Sequence, residues 1–279
     1  MNAREREVAR DELLHRAETE TLLMGILNAT PDSFSDGGQF LDTASAVTHA
    51  GRMISEGAAI IDVGGESTRP GAEPVTEEDE RARTISLVSE LVERRMGPVS
   101  IDTYKSAIAN EAAEAGAVII NDVWGMTRDP DMAAAVASTG SAVVITYNRG
   151  QADQNINLVD DIVDFIEQRF REAEGAGIPR DHIWLDPGVG FSKTLEQNID
   201  ALRRLDVFLD FGCPVLVGVS RKSLIGLTLD RSVDDRLAGT IGAHLSAVKA
   251  GANIIRVHDV QEHADALKMY AILDGNDRG

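Results

Sequence analysis

Seven sets of polar residues carry the chemistry that this sequence can do. Asp102, Asn121 and Asp186 offer carboxylate and amide edges, suited to a heterocycle whose donor and acceptor atoms lie in one plane. Lys222, Arg256 and His258 offer cations and Asn28 a hard oxygen, suited to an anionic leaving group that travels with a hard metal ion. Glu66-Ser67-Thr68-Arg69, Asp102-Thr103, Asn121-Asp122, Asp186-Pro187-Gly188, Ser220-Arg221-Lys222-Ser223 and Arg256-Val257-His258-Asp259 complete the sets. Together these residue types describe a transferase or lyase acting on a phosphorylated heterocycle. Any one set has a plainer explanation; Asp102 and Thr103 could cap a helix beginning near Lys105. Seven sets do not, and Arg and Lys stand against the dipole at a helix N-terminus.

Each set follows an apolar run. The runs cover residues 22–27, 59–63, 98–101, 118–120, 142–146, 183–185, 214–219 and 254–257. They are near-continuous in apolar character, as strands buried on both faces of a parallel sheet are. Helical patterns lie between them over residues 44–55, 77–95, 105–115, 131–138, 159–173, 195–209, 233–249 and 262–273, the second opened by Thr76 and Asp79 at capping-box spacing. Eight strands alternating with helices predict a single-domain α/β fold, a (β/α)8 TIM barrel, with an open doubly wound sheet as the alternative. In a barrel all the polar sets meet on one face. The domain is expected over residues 21–275, after a charged, helical extension at 1–20 and before a frayed tail at 276–279.

The 279 residues are 43% hydrophobic and 26% charged, which excludes disordered and collagen-like classes. With 27 Lys+Arg against 46 Asp+Glu the net charge is −19, which repels nucleic acid and anionic lipid but leaves room for a small anion in a local cationic pocket. A single cysteine, Cys213, excludes an internal disulfide framework and points to a reducing compartment. No signal-like or membrane-spanning run occurs, so a cytoplasmic, unanchored protein is expected. His15, His49, His182, His244 and His263 lack metal-site spacing and read as surface or hydrogen-bonded histidines. Glu77-Glu78-Asp79-Glu80 reads as a helix first turn that favours the dipole.

Two segments are long enough to be specific. Gly25-Ile26-Leu27-Asn28-Ala29-Thr30-Pro31-Asp32-Ser33-Phe34-Ser35-Asp36-Gly37-Gly38 and Asp62-Val63-Gly64-Gly65-Glu66-Ser67-Thr68-Arg69-Pro70-Gly71 closely resemble the signatures of the dihydropteroate synthase family. Shorter blocks agree in order: residues 100–105, 120–123, 185–191, 220–223 and 256–260. The resemblance implies a (β/α)8 enzyme of folate synthesis that joins 4-aminobenzoate to 6-hydroxymethyl-7,8-dihydropterin diphosphate, releasing pyrophosphate. By the same resemblance Asp102, Asn121, Asp186 and Lys222 hold the pterin. Asn28, Thr68, Arg256 and His258 face the pyrophosphate, Asn28 placing a Mg²⁺ that arrives with substrate. Thr68, Arg69, Pro70, Phe191, Lys222 and Ser223 border the aminobenzoate, and Asp102, Lys222 and Arg256 carry catalysis. Loops over residues 29–40 and 67–75 resemble the family's mobile loops, and its dimers imply a homodimer.

One block departs. Where the family usually has Met-His, this chain has Thr146-Tyr147 followed by Asn148, which bears on the shape of the pterin pocket. Two other functions are carried alongside: a methyl-tetrahydrofolate/corrinoid methyltransferase-like barrel, which has no use for the pyrophosphate cations, and an inactive pterin-binding paralogue.

Overall fold

The computed structural model describes residues 3–29, 39–67 and 73–274. Eight strands form one parallel sheet: β1 (Leu22–Asn28), β2 (Ile60–Gly64), β3 (Val99–Asp102), β4 (Ile119–Asp122), β5 (Ala142–Thr146), β6 (Ile183–Asp186), β7 (Leu216–Val217) and β8 (Ile254–Val257). Their order is β6-β5-β4-β3-β2-β1-β8-β7. A parallel bridge from Leu185 to Val215 joins the two ends, which makes a barrel of what would otherwise be an open sheet. β7 is shorter than its apolar run because the run reports burial, not pairing: Val219 is fully buried beyond the last ladder bond.

The helices described are α1 (Ala3–Thr19), α2 (Gln39–Ser55), α3 (Glu77–Glu93), α4 (Ser106–Ala115), α5 (Met132–Thr139), α6 (Leu158–Ala176), α7 (Leu195–Arg203), α8 (Leu205–Leu209), α9 (Ser223–Leu229), α10 (Leu237–Lys249) and α11 (Val260–Asp274). The Thr76 side chain caps α3 by accepting from Asp79 N–H. The pattern over 195–209 is two helices, because Arg204 between them has φ −110° and ψ 38°. The pattern over 233–249 opens with a 3₁₀ turn, Val233–Asp235, before α10. Helix α9 has seven residues, too few to show a period.

Strand side chains alternate between two apolar clusters. Ile61, Val63, Ile101, Ile120, Val143, Ile145, Leu185 and Ile255 pack outward with the helices. Leu22, Met24, Ile60, Ile119, Ala142, Val144, Trp184, Leu216 and Ile254 fill the inside together with Leu13 and Ala17 of α1. The charged N-terminal stretch therefore closes the base of the barrel. Arg6 and Arg10 donate to the carbonyls of Ala113 and Gly140, and Asn253 Nδ2 donates to Ala17 O at 2.8 Å. The last predicted segment, 276–279, lies outside the described residues.

Candidate active site

Parity decides which polar residues meet. Continuing the inward set of each strand toward its C-terminal end gives Asn28, Asp62, Asp102, Asn121, Thr146, Asp186, Arg256 and His258. In a (β/α)8 barrel that is the end where sites are built. The opposite parity is turn chemistry. Asp122 accepts from the N–H groups of Trp124 (2.8 Å) and Met126 (2.7 Å). Thr103 Oγ1 accepts from Lys105 N–H at 3.2 Å, and Arg221 donates to Asp259 at 3.1 Å. Asp102 caps nothing, since α4 starts after Lys105 with no side-chain cap.

At the centre, Arg256 bridges two aspartates. Its Nε donates to Asp62 Oδ2 and its Nη2 to Asp102 Oδ2, both at 2.6 Å. Asn121 Nδ2 also donates to Asp62 Oδ2, at 3.0 Å. The second oxygen of each carboxylate, Asp62 Oδ1 and Asp102 Oδ1, is buried with no partner among the described residues. Such an atom costs on the order of 1–3 kcal/mol, which a ligand with ring N–H or amino donors would recover. Beside them Lys222 Nζ donates to Val189 O at 2.5 Å and lies 4.5 Å from the centroid of Phe191. Asp186 Oδ1 accepts from Gly188 N–H at 2.7 Å. His258 Nδ1 lies 2.9 Å from Ser220 Oγ, which also accepts from the His258 backbone N–H.

The charges press on one another. Burial pushes Asp102 up and Arg256 pulls it back, while Asp62 and Glu80 push it up again, leaving it at about 7. Burial also raises Asp186, against Lys222, and lowers Lys222 to about 8, against the pull of Asp186. Arg256 loses solvation too, but Asp62 and Asp102 outweigh that loss and hold it above its ordinary value.

The structure thus brings together Asp102, Asn121, Asp186, Lys222 and Arg256, with Asn28 and His258 at the same end and Phe191 and Ser223 beside Lys222. Thr68, Arg69 and Pro70, with most of the two predicted loops, lie outside the described residues. Arg256 is wedged between the Asp62 and Asp102 carboxylates. Asp62 was not foreseen as a site residue; the signal for it was a lone charge in an otherwise apolar run, two residues before the strand end. Glu77, Glu78, Asp79 and Glu80 do form the first turn of α3, and Glu80 has a second role there: it is 1% exposed and ion-paired with Lys105. Lys105 also donates to Glu66 Oε2 at 2.5 Å, and Tyr104 OH to Glu66 Oε1 at 3.1 Å. His244 and His263 are hydrogen-bonded to each other at 2.9 Å, as a non-metal reading requires.

Parity also splits the departing block. Thr146 points inward, fully buried, with its Oγ1 unpartnered among the described residues. Tyr147 points outward, stacked edge-on to Phe165 at 5.3 Å with its OH donating to Asp161 Oδ2 at 2.5 Å. Asn148 braces the loop, donating to Val123 O at 2.9 Å and accepting from Ser192 Oγ at 2.8 Å. Of the block, Thr146 faces the polar layer, whereas the Tyr147 side chain lies on the helix side of β5.

A family model described as pterin binding enzyme matches residues 24–258. The dihydropteroate synthase of Clostridium beijerinckii is 46% identical over 254 residues, covering 91% of this chain and 94% of that protein. That of Bacillus subtilis is 44% identical over 250 residues, covering 90% and 87%. Among solved structures, a Clostridium difficile dihydropteroate synthase in the presence of pteroic acid superposes with a TM-score of 0.88 at 43% identity, covering 91% of this chain and 97% of that one. A Xanthomonas albilineans dihydropteroate synthase with 4-aminobenzoic acid gives a TM-score of 0.87 at 41% identity, covering 91% and 93%. The chain belongs to the dihydropteroate synthase family of pterin-binding enzymes, transferases of folate biosynthesis.

Proposed function

We propose that the polar layer performs dihydropteroate synthesis by stabilising opposite charges at the two ends of one breaking bond. The observation that carries this is the Asp62–Arg256–Asp102 bridge with its two carboxylate oxygens that have no partner among the described residues. The pterin CH₂–O bond breaks, pyrophosphate leaves with the electron pair, and the aminobenzoate nitrogen bonds to the CH₂ and gives up a proton. Positive charge gathers on the pterin and negative charge on the leaving group. Asp102, Asn121 and Asp186 hold the pterin by its donors, and the Asp102 carboxylate stabilises the developing cation. Arg256 fixes Asp62 and Asp102 in place. With His258 it also sets positive potential toward the pyrophosphate, to which Thr68 offers a hydroxyl donor. Lys222, against Phe191, stands between pterin and aminobenzoate, with Arg69, Pro70 and Ser223 completing the second subsite. No side chain has to act as nucleophile or strong base; orientation and water exclusion supply the rest.

Mg²⁺ fits this donor set. Asn28 offers one amide oxygen at the end of β1, and no group of three or more His, Cys, Asp or Glu among the described residues forms a cage, so pyrophosphate and water would supply most ligands. When bound, the ion would offset charge on the leaving group. The catalytic unit is residues 21–275, closed at its base by α1. Exposed Leu227 and Leu229 on α9, Val233, and Met269, Ile272 and Leu273 on α11 support a homodimer. Among the described residues no helix is long and apolar enough to cross a membrane. A cytoplasmic location belongs to the same reading, supported by the one buried free thiol, Cys213.

The test is an assay of wild type and Asp102→Asn with pterin diphosphate, 4-aminobenzoate and Mg²⁺, following pyrophosphate and dihydropteroate by mass. Wild type forms both in equal amounts. The variant binds pterin diphosphate but turns over slowly; an unchanged rate removes the charge argument, and failure of wild type to bind pterin removes the roles of Asp102, Asn121 and Asp186.

A further inference from the structure

Lys193 is a cation that, among the described residues, has no carboxylate hydrogen-bonded to its head. Its Nζ donates to three backbone carbonyls, Tyr147 O at 2.8 Å, Gly188 O at 3.0 Å and Phe191 O at 3.2 Å, and stands 4.2 Å from the centroid of the Tyr147 ring. Three carbonyl dipoles aimed at one point repel one another unless a positive charge sits there. The loop after β6 supplies two of them, Gly188 O and Phe191 O, and turns through left-handed residues at Gly188, Gly190 and Ser192 (φ 66°, 86° and 47°). Gly188 is required because a Cβ there would collide with the Tyr147 carbonyl. The same loop supplies Val189 O, which accepts from Lys222, and Phe191, on which Lys222 rests.

We propose that Lys193 is a positioning residue for the aminobenzoate half of the site, its ammonium gathering the end of β5 and the β6 loop so that Phe191 and the Val189 carbonyl hold Lys222 in register. The inference rests on the reading that Phe191 and Lys222 border aminobenzoate. Tyr147, the departure from the family pattern, is part of the cage through both its carbonyl and its ring. The charged groups around Lys193 are Asp186 on β6, Asp161 on α6 and Lys222 before α9, with Arg149 paired to Asp161. Burial outweighs the two aspartates and lowers the ammonium to about 7. The cage is therefore fully charged in mild acid and loses its charge as the pH rises.

The experiment compares wild type, Lys193→Met, which keeps the stem without the charge, and Lys193→Gln as a second variant should the first fold poorly. Calorimetry with pterin diphosphate checks that the pterin half is intact. At about pH 6 the KM for 4-aminobenzoate should rise about tenfold, the effect of losing a charge-assisted hydrogen bond, while the pterin diphosphate KM stays within about threefold. By about pH 9 wild type has lost the same charge, and the ratio of aminobenzoate KM values should shrink toward one. A pH-independent ratio, or parallel loss of pterin binding, overturns the proposal in favour of plain packing. Phe191→Ala separates the two readings. If it raises the aminobenzoate KM and the Lys193 variants do not, the Lys193 inference fails alone; if none of them does, the aminobenzoate assignment fails and the inference with it.

Discussion

The two ends of this barrel are built on opposite terms. At the base, α1 seals the opening with Leu13 and Ala17 against Leu22, Ile60, Val144 and Trp184. Nearly everything there is apolar and close-packed, the unpartnered indole Nε1 of Trp184 being an exception. At the mouth the same strands, a few residues further on, bury Asp62, Asp102, Asn121 and Asp186, against the partly buried cations Lys222 and Arg256. Among the described residues, two carboxylate oxygens and the Thr146 hydroxyl are left there without partners. A buried charge network is a weak source of stability, because desolvation consumes most of the Coulomb gain. The base therefore supplies the stability that lets the mouth hold groups in costly arrangements for chemistry.

That division can be broken from either side. Lys222→Ala removes a cation at the mouth, and kcat/KM should fall about 10²–10³-fold, as for other preorganised charge contacts, while the melting temperature changes little. Steady-state kinetics with unfolding curves decides it; a variant that melts early at full activity reverses the assignment. Leu13→Ala should do the opposite. The side chain is 2% exposed, and truncation should cost about 2–4 kcal/mol of stability, the range for buried leucines. Its kcat/KM below the melting transition should match wild type. A kinetic defect there would mean that the base is coupled to the site.

Acidity should drive the two ends apart. Asp102 titrates at about 7 in the fold and near 4 unfolded. Below 7 the folded state takes up a proton that the unfolded chain takes up only near 4, so this group favours folding more as the pH falls toward 4. Catalysis needs the ionised form. kcat/KM should drop about tenfold per unit below pH 7, with an alkaline limb near 8 from Lys222. The stability advantage of Asp102→Asn over wild type should be largest near pH 8, shrink as the pH falls and be gone only below about pH 4. Equal stabilities at both pH values would show that Arg256 fully compensates the aspartate.

The fold was legible because parallel strands buried on both faces leave unbroken apolar runs, and eight such runs leave little choice. The principal site residues were legible because charges follow those runs. What escaped were partners brought together across elements. Lys105 reaches Glu66 and Glu80 from 39 and 25 residues away, and no local spacing announces that. Glu80 looks like its exposed neighbours Glu77 to Asp79 in sequence, and only the helix face distinguishes it. Asp62 was hidden by being counted within its apolar run. Lys193 was invisible because its partners are carbonyls, which every residue has.

The departure at 146–148 gives the smallest and most discriminating test. If Tyr147 is a strut on the helix side of β5, Tyr147→Phe loses only its hydrogen bond to Asp161. Asp161 keeps Arg149, whose Nε lies 3.1 Å away, so no buried charge is stranded. The stability cost should be about 1 kcal/mol, the ordinary value of one such bond. The pterin diphosphate KM should not move, because the ring that packs on Phe165 and beneath Lys193 is retained. A pterin KM several-fold higher in Tyr147→Phe would mean that the outward face of β5 does shape the pocket. The separation of mouth from wall by strand parity would then be too sharp.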